Sequence, residues 1–324
     1  SIKFIMTALI VERSGISSSF QDLGRLNLQY LGIVQGGCID QENFLLGNAI
    51  LHNDQNEGQI EFAYQGPKIK VTQGACKVAI TGNVLFNIVR SDGSIVNGSC
   101  YRSYYLKEND TLDVLTTVKS VYGYIGFAGG MELKSYFKSV SANSRSKIGP
   151  NNGNKIANND TVQLKKSSTT KDEFVLSRIP QKDNRNVIRV LEGPQQEYFS
   201  SAGIKAFYGD NYSVSNLTDR MGMRMQGPKI SFVKSPNIKS EGIIRGSIQV
   251  PADGQPIVLL SDHQTIGGYP KIAVVAAADY DHLAQSAPGS FVRFKKINIR
   301  EAVISYQLRM KTIDNMISSI VKIN

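Results

Sequence analysis

The sequence predicts a mainly β protein with a few helices, its many short strands closed into barrels or sandwiches. Residues 60–71 and 77–89 are rich in β-branched and aromatic side chains and are bounded by Gly and Pro, the composition of strands between turns. Asp110-Thr-Leu-Asp-Val-Leu115, Asp160-Thr-Val-Gln-Leu164 and Gly289-Ser-Phe-Val-Arg-Phe294 each place alternating apolar and polar positions after a turn residue. Short strands of this kind recur along the chain, as they do in closed or stacked sheets.

Taken in order, Val11, Ile16 and Phe20 lie in a Ser/Gly-rich entry with a faint strand pattern. Residues 40–51 read as a helix, with Asp40 as N-cap and Phe44, Leu45, Ile50 and Leu51 as its apolar positions. Gln65-Gly-Pro-Lys-Ile69 recurs as Gln226-Gly-Pro-Lys-Ile230, which hints at two related halves. Residues 141–186 are polar; 148–164 hold one more strand and 165–172 read as a linker. Further on, Ser247 and Gln249 alternate with Ile248 and Val250. Pro251-Ala-Asp253-Gly254 then turns, and Pro256 opens an apolar strand, which together make a hairpin. The tail, 299–321, spaces Ile304, Leu308, Ile313, Met316, Ile317 and Ile320 as a helix that packs one face on the body or on a partner. The expected division is an N-terminal β domain over 1–170, a second β domain over 171–297 and a helical tail over 298–324.

A chain of 324 residues suits two domains and buries roughly 75% of its unfolded surface. No 18 apolar residues run together, so no membrane helix is expected. Residues 1–13 lack a basic n-region and a cleavage pattern, so no signal peptide is expected. The net charge of +10, from 37 Lys plus Arg against 27 Asp plus Glu, is scattered, and there is no Trp. That reads as a solvated basic surface, not a nucleic-acid face. Cys38, Cys76 and Cys100 are odd in number and widely spaced, which fits a reducing compartment and a cytoplasmic protein.

Standard catalytic signatures are missing. No Gly-Lys pair occurs, so there is no P-loop, and no G-x-S-x-G elbow is present. His52, His263 and His282 have no metal-ligand spacing, so no metal site is expected. Arg309 and Thr312 flank Met310-Lys311, which argues against biotin attachment there. The informative stretch is 215–278. From Thr218 to Gln226 the chain alternates, with Met221, Met223 and Met225 on one side and Arg220, Gly222, Arg224 and Gln226 on the other. Two guanidinium groups on one face suit a carboxylate or phosphate; an outer face of solvated arginines is the plainer alternative. Ser261-Asp-His-Gln-Thr-Ile-Gly-Gly-Tyr-Pro-Lys271 then gathers Asp262, Gln264, Tyr269 and Lys271 in a Gly-rich loop between apolar runs, the usual setting of a binding loop.

These residues carry a family resemblance. Asp219-Arg-Met-Gly222, Ser240-Glu-Gly242, Gly246-Ser-Ile-Gln-Val-Pro251, Asp253-Gly-Gln-Pro-Ile-Val-Leu-Leu260, Gln264-Thr265 and Gly267-Gly-Tyr-Pro-Lys-Ile-Ala273 resemble the biotin-dependent carboxyltransferase-type proteins. Gln21-Asp-Leu-Gly-Arg25, Gly47-Asn48, Gly66-Pro67 and Ala128-Gly-Gly130 extend the likeness into the N-terminal half. That family includes the C-type subunit of bacterial 5-oxoprolinase, the antagonist of a sporulation-kinase inhibitor, the proteins called allophanate hydrolase subunit 2, and the carboxyltransferase half of urea amidolyase. The chain departs from the family pattern at Gly36-Gly-Cys-Ile-Asp40, at Ile266 and at Asn27, which bears on substrate choice and not on the fold.

The resemblance implies two cyclophilin-like barrels and a B-type partner that completes the site. Its leading implication is the C-type subunit of an ATP-dependent 5-oxoprolinase, inactive without A-type and B-type subunits, that opens 5-oxo-L-proline to glutamate. ATP with Mg would be shared with the partners. Asp219, Arg220 and Lys271 are the catalytic candidates the resemblance implies; Arg224, Gln249, Gln255, Asp262, Gln264, Tyr269 and Arg25 are the substrate-binding ones. Two other implications stay open. One is a carboxyltransferase component that moves a carboxyl group from carboxybiotin, carried elsewhere, to urea or a similar amide. The other is a non-enzymatic regulator that captures a kinase inhibitor.

Overall fold

The computed structural model describes residues 6–168, 170–181 and 185–323. Part of the stretch read for a signal peptide, residues 1–5, and Thr169 of the expected linker lie outside them. The chain divides into two compact units: Ser1–Arg25 with Gly36–Pro180 and Ile313–Asn324, and Leu26–Gln35 with Gln181–Thr312. The protein is mainly β, with four α-helices among the described residues: α1 Gln41–Ile50, α2 Ser201–Gly209, α3 Ala277–Ala284 and α4 Ile299–Ile317.

In the first unit the strands form two antiparallel sheets. One runs in the order Thr161–Gln163, Ala8–Arg13, Lys68–Gln73, Thr111–Thr117, Val84–Val89, Ile95–Asn97. The other runs Ser17–Gln21, Gln59–Ala63, Tyr122–Phe127, Ala75–Thr81, Ser103–Lys107. Both sheets supply one core, among them Leu9, Val11, Phe62, Val78, Ile88, Val114 and Ile125. The strand Tyr122–Phe127 is buried along its whole length because both its faces are covered. Ile125 faces that core, while Tyr124 turns to the other side and packs edge-on against Phe44 of α1. α1 starts where expected, with Asp40 Oδ1 accepting from Asn43 N at 3.0 Å.

The runs 60–71 and 77–89 are each two strands. The first breaks between Ala63 and Lys68, where Tyr64 holds φ 60; the second breaks at Gly82, φ 108. The Gln-Gly-Pro-Lys-Ile echo is not a structural repeat: its first copy enters the strand Lys68–Gln73, whereas its second leaves the strand Gly222–Gln226. The start of the expected linker, 165–168, is tied down, with Lys165 paired to Glu57 at 2.8 Å and Ser168 N donating to Ala75 O at 3.0 Å. The tail departs from its expected helix. α4 ends at Ile317, and Ile320–Ile323 becomes a strand antiparallel to Glu173–Leu176. Ser318 and Ser319 direct their hydroxyls back to the carbonyls of Asp314 and Met316, an exit bond of Ser that competes with the helix ladder. The β-branched Ile320 and Val321 that follow suit a strand.

The second unit is a closed seven-stranded barrel in the order Val187–Glu192, Lys271–Val275, Ser247–Gln249, Ile257–Leu259, Gly222–Gln226, Tyr212–Thr218, Phe291–Lys296. Six of its pairings are antiparallel; Val187–Glu192 and Phe291–Lys296 close it in parallel. The expected hairpin pairs Ile248 with Val258 and Gln249 with Ile257. Met223 and Met225 point into the barrel with no more than 1% exposure, and Arg224 and Gln226 point outward. Arg220 and Met221 precede the strand, so the alternation starts later than the sequence pattern suggests. α2 carries ordinary helix signals of its own: Ser200 caps it by accepting from Gly203 N, and Ile204 and Phe207 follow at helical spacing.

Candidate functional site

The barrel register builds the site. Directly paired residues of neighbouring strands share a face, and one row runs Arg224, Ile257, Gln249, Lys271 across four strands. The parallel inner row is Met223, Val258, Ile248, Ala273. Counting back by twos from Ala273 would put Lys271 on the inner face. A register shift between Ile248 and Gln249 inserts one extra residue on the lysine strand and turns Lys271 outward beside Gln249. Neighbouring strands lie ~4.8 Å apart, so Arg224 stands roughly 14 Å from Lys271 at the backbone. The two cations cannot grip one carboxylate as a pair of adjacent forks.

The outward end of this row is covered. Lys271 is 4% exposed, and its Nζ donates to Glu241 Oε1. Gln195 braces both partners, its Nε2 donating to Glu241 Oε1 at 2.7 Å and its Oε1 accepting from Lys271 N at 3.2 Å. The lysine hydrogen bond holds the Glu241 carboxyl below its ordinary range. Glu241–Gly242 pairs with Ile266–Gly267 as a two-residue ribbon. Gly267 lies against Gln249: a Cβ there would stand 2.5 Å from Gln249 Nε2. That Nε2 is buried and has no hydrogen-bond partner. Glu241 and Gln195 were not singled out from the sequence, although Glu241 lies within the Ser240-Glu-Gly242 motif.

The other candidates take different positions. Arg220 grips Asp262 with both forks, Nε to Oδ2 at 2.9 Å and Nη2 to Oδ1 at 3.0 Å, and Asp262 N donates to Arg220 O at 2.8 Å. This pair fastens the start of the 261–270 loop to the turn before the strand Gly222–Gln226. Asp219 is exposed and holds that turn, its Oδ1 accepting from Met221 N and Gly222 N. Gln255 clamps Gly227, accepting from its N at 2.9 Å and donating to its O at 3.1 Å. Gln264 and Tyr269 are exposed on the loop. Arg25 belongs to the first unit, buried at 2%, donating from Nη2 to Ser141 O and from Nε to Tyr136 O. His263 is buried, with Nδ1 2.6 Å from Gln264 O and Nε2 without a partner; burial lowers its pKa, so the ring is neutral.

The arrangement offers a buried ammonium, a buried amide with an unused donor and an exposed arginine, all on one outer row. Among the described residues no three of His, Cys, Asp and Glu gather as a metal site. The cations Lys271 and Arg220 are each neutralised by a carboxylate. A magnesium-bound triphosphate therefore does not fit this cluster on its own. Among the described residues no helix is long and apolar enough to cross a membrane.

Comparison with known proteins agrees with this architecture. The chain is 31% identical over 285 residues to the C-type subunit of 5-oxoprolinase from Haemophilus influenzae, covering 88% of this chain and 90% of that one. It is 28% identical to the corresponding 5-oxoprolinase subunit of Escherichia coli, covering 92% and 94%. The urea amidolyase of Saccharomyces cerevisiae is 25% identical over 97% of this chain, which spans 18% of that enzyme. The crystal structure of the K. lactis urea amidolyase superposes with a TM-score of 0.86 at 23% identity, over 98% of this chain and 20% of that one, and shares the fold. Residues 31–296 match the carboxyltransferase domain, subdomain A and B, and the chain is a member of that family.

Proposed function

We propose that this chain is the C-type subunit of an ATP-dependent 5-oxoprolinase, working with A-type and B-type subunits in the cytoplasm. The observation that carries the reading is the match to the Haemophilus influenzae 5-oxoprolinase subunit, 31% identical over 88% of this chain and 90% of the relative. The reaction consumes one lactam, one ATP and two waters, and yields glutamate, ADP and phosphate. A lactam carbonyl is a poor electrophile, and phosphoryl transfer from ATP supplies the leaving group that makes ring opening feasible. We assign nucleotide and magnesium to partner subunits, because among the described residues no three of His, Cys, Asp and Glu gather to hold the metal.

This chain's own residues hold the substrate. Lys271 supplies a fixed positive charge for a carboxylate, and the Gln249 amide donates to an oxygen beside it. Burial excludes water there, which strengthens both interactions. Arg224, farther along the row, is placed for a second anionic group. Arg220 with Asp262 is a positioning pair for the loop that carries Tyr269 and leads into Lys271. The test is glutamate release from 5-oxo-L-proline and ATP with this chain and its A-type and B-type partners, omitting each in turn. Release that requires this chain is the expected result; equal release without it overturns the reading.

A second reading is favoured by the carboxyltransferase family match and by the urea amidolyase match over 97% of this chain. In it, the same row binds a small amide that accepts a carboxyl group from carboxybiotin carried on another protein. Carboxylation of urea by carboxybiotin in the presence of this chain is its test.

A further inference from the structure

Lys271 is buried, its side chain 5% exposed, yet the carboxylate that neutralises it is 43% exposed. That carboxylate, on Glu241, comes from a ribbon of two residues a side, with Ile244 and Ile266 57% and 58% exposed beside it. The neighbouring amide, Gln249 Nε2, is buried without a partner. A buried donor of this kind bonds an oxygen that is brought to it. Gly267 packs directly on that nitrogen, since a Cβ there would stand 2.5 Å from it, so the ribbon that carries Gly267 and pairs with Glu241 is what covers the amide.

We propose that Lys271 and Gln249 bind the carboxylate of a small carboxylate-bearing amide, and that Glu241 holds the ammonium until this ligand displaces it. Exchanging one carboxylate for another keeps the buried ammonium paired in both states, which avoids the large cost of stranding it. The incoming group also has a second oxygen for Gln249, which Glu241 does not reach in the ligand-free chain. Glu241, already half in solvent, moves outward with its ribbon, and Gln195 gives up its bond to that carboxylate while keeping the one to Lys271 N. That the ligand is 5-oxo-L-proline rests on the functional reading above.

The test is calorimetric titration of the full chain with 5-oxo-L-proline and with 2-pyrrolidinone, the same ring without the carboxylate. Wild type is expected to bind the first and, by at least about tenfold, to disfavour the second. Glu241→Gln removes the competing charge while keeping the shape, and is expected to tighten binding of 5-oxo-L-proline by on the order of fivefold. Lys271→Met is expected to abolish binding. Unchanged or weaker binding in E241Q, equal binding of the two rings, or no binding of 5-oxo-L-proline overturns the proposal. Should K271M fail to fold, E241Q and the two-ring comparison decide it. Glutamate release by the assembled subunits is measured separately. Release without tightening in E241Q removes the exchange and leaves the functional reading; tightening without release keeps the exchange and removes that reading.

Discussion

Replacing Arg220 by Ala strips Asp262 of both its guanidinium bonds, at 2.9 and 3.0 Å, while the two side chains are only 16% and 12% exposed. An exposed pair contributes about 0–1 kcal/mol, and breaking a fully buried one costs about 3–5 kcal/mol. A mostly buried, bidentate pair falls between, at roughly 2–4 kcal/mol for either Arg220→Ala or Asp262→Ala. The double variant loses the pair once, so the cycle shows a coupling of about 1.5–3 kcal/mol. Urea unfolding followed by far-UV circular dichroism and tyrosine emission measures it, since the chain has 14 Tyr and no Trp. Singles that cost under ~1 kcal/mol and add within ~0.5 kcal/mol refute the argument. The cycle also separates positioning from chemistry. If Arg220 acts by fastening the 261–270 loop, D262A and R220A lower turnover of the assembled enzyme alike. A much larger loss in R220A alone makes the guanidinium a direct participant.

Gly193→Ala would set a Cβ 2.2 Å from the carbonyl oxygen of Lys271, a backbone atom that cannot swing away; a loss of about 1–3 kcal/mol in urea unfolding is expected, and wild-type stability refutes it. His263 is neutral in the fold because burial lowers its pKa below 6.5. Its stability contribution is full above that value and is lost as pH falls from 6.5 toward the folded pKa, because the unfolded ring binds the proton first. Urea midpoints between about pH 5 and 7 therefore fall more steeply in wild type than in His263→Gln, and equal slopes refute this. Burial pushes the thiols of Cys76 and Cys100 up to about 12 and about 11. At about pH 8 the native chain should therefore react with an aromatic disulfide at these positions about a hundredfold or more slowly than unfolded chain does; comparable rates refute it.

Local chemistry made part of this molecule readable. Alternation marked Met223 and Met225 as inward and Arg224 as outward, Asp40 announced α1, and the Pro-Ala-Asp-Gly turn announced the hairpin that carries Gln249. Each depends on residues a few positions apart, where strand and helix periods act directly. Likewise the run Gly267-Gly-Tyr-Pro-Lys271 marked a loop, because such a cluster of polar groups and glycines has little use inside a plain strand, and the structure places Gly267 of it against Gln249.

What the sequence by itself determined is therefore the β character, the segment proposed to carry the site and the side chains available there. Which of those side chains meet was decided by the tertiary structure. Arg220 and Asp262 are 42 residues apart, Lys271 and Glu241 are 30 apart, and Gln195 and Glu241 are 46 apart. Period-2 alternation carries no information about such pairs, since it says which face a residue takes and not which strand lies next to it. The register shift opposite Gln249 is the clearest case. By alternation from Ala273, Lys271 belongs inside the barrel, and one extra residue in the ladder turns it to the outer row, where Glu241 meets it.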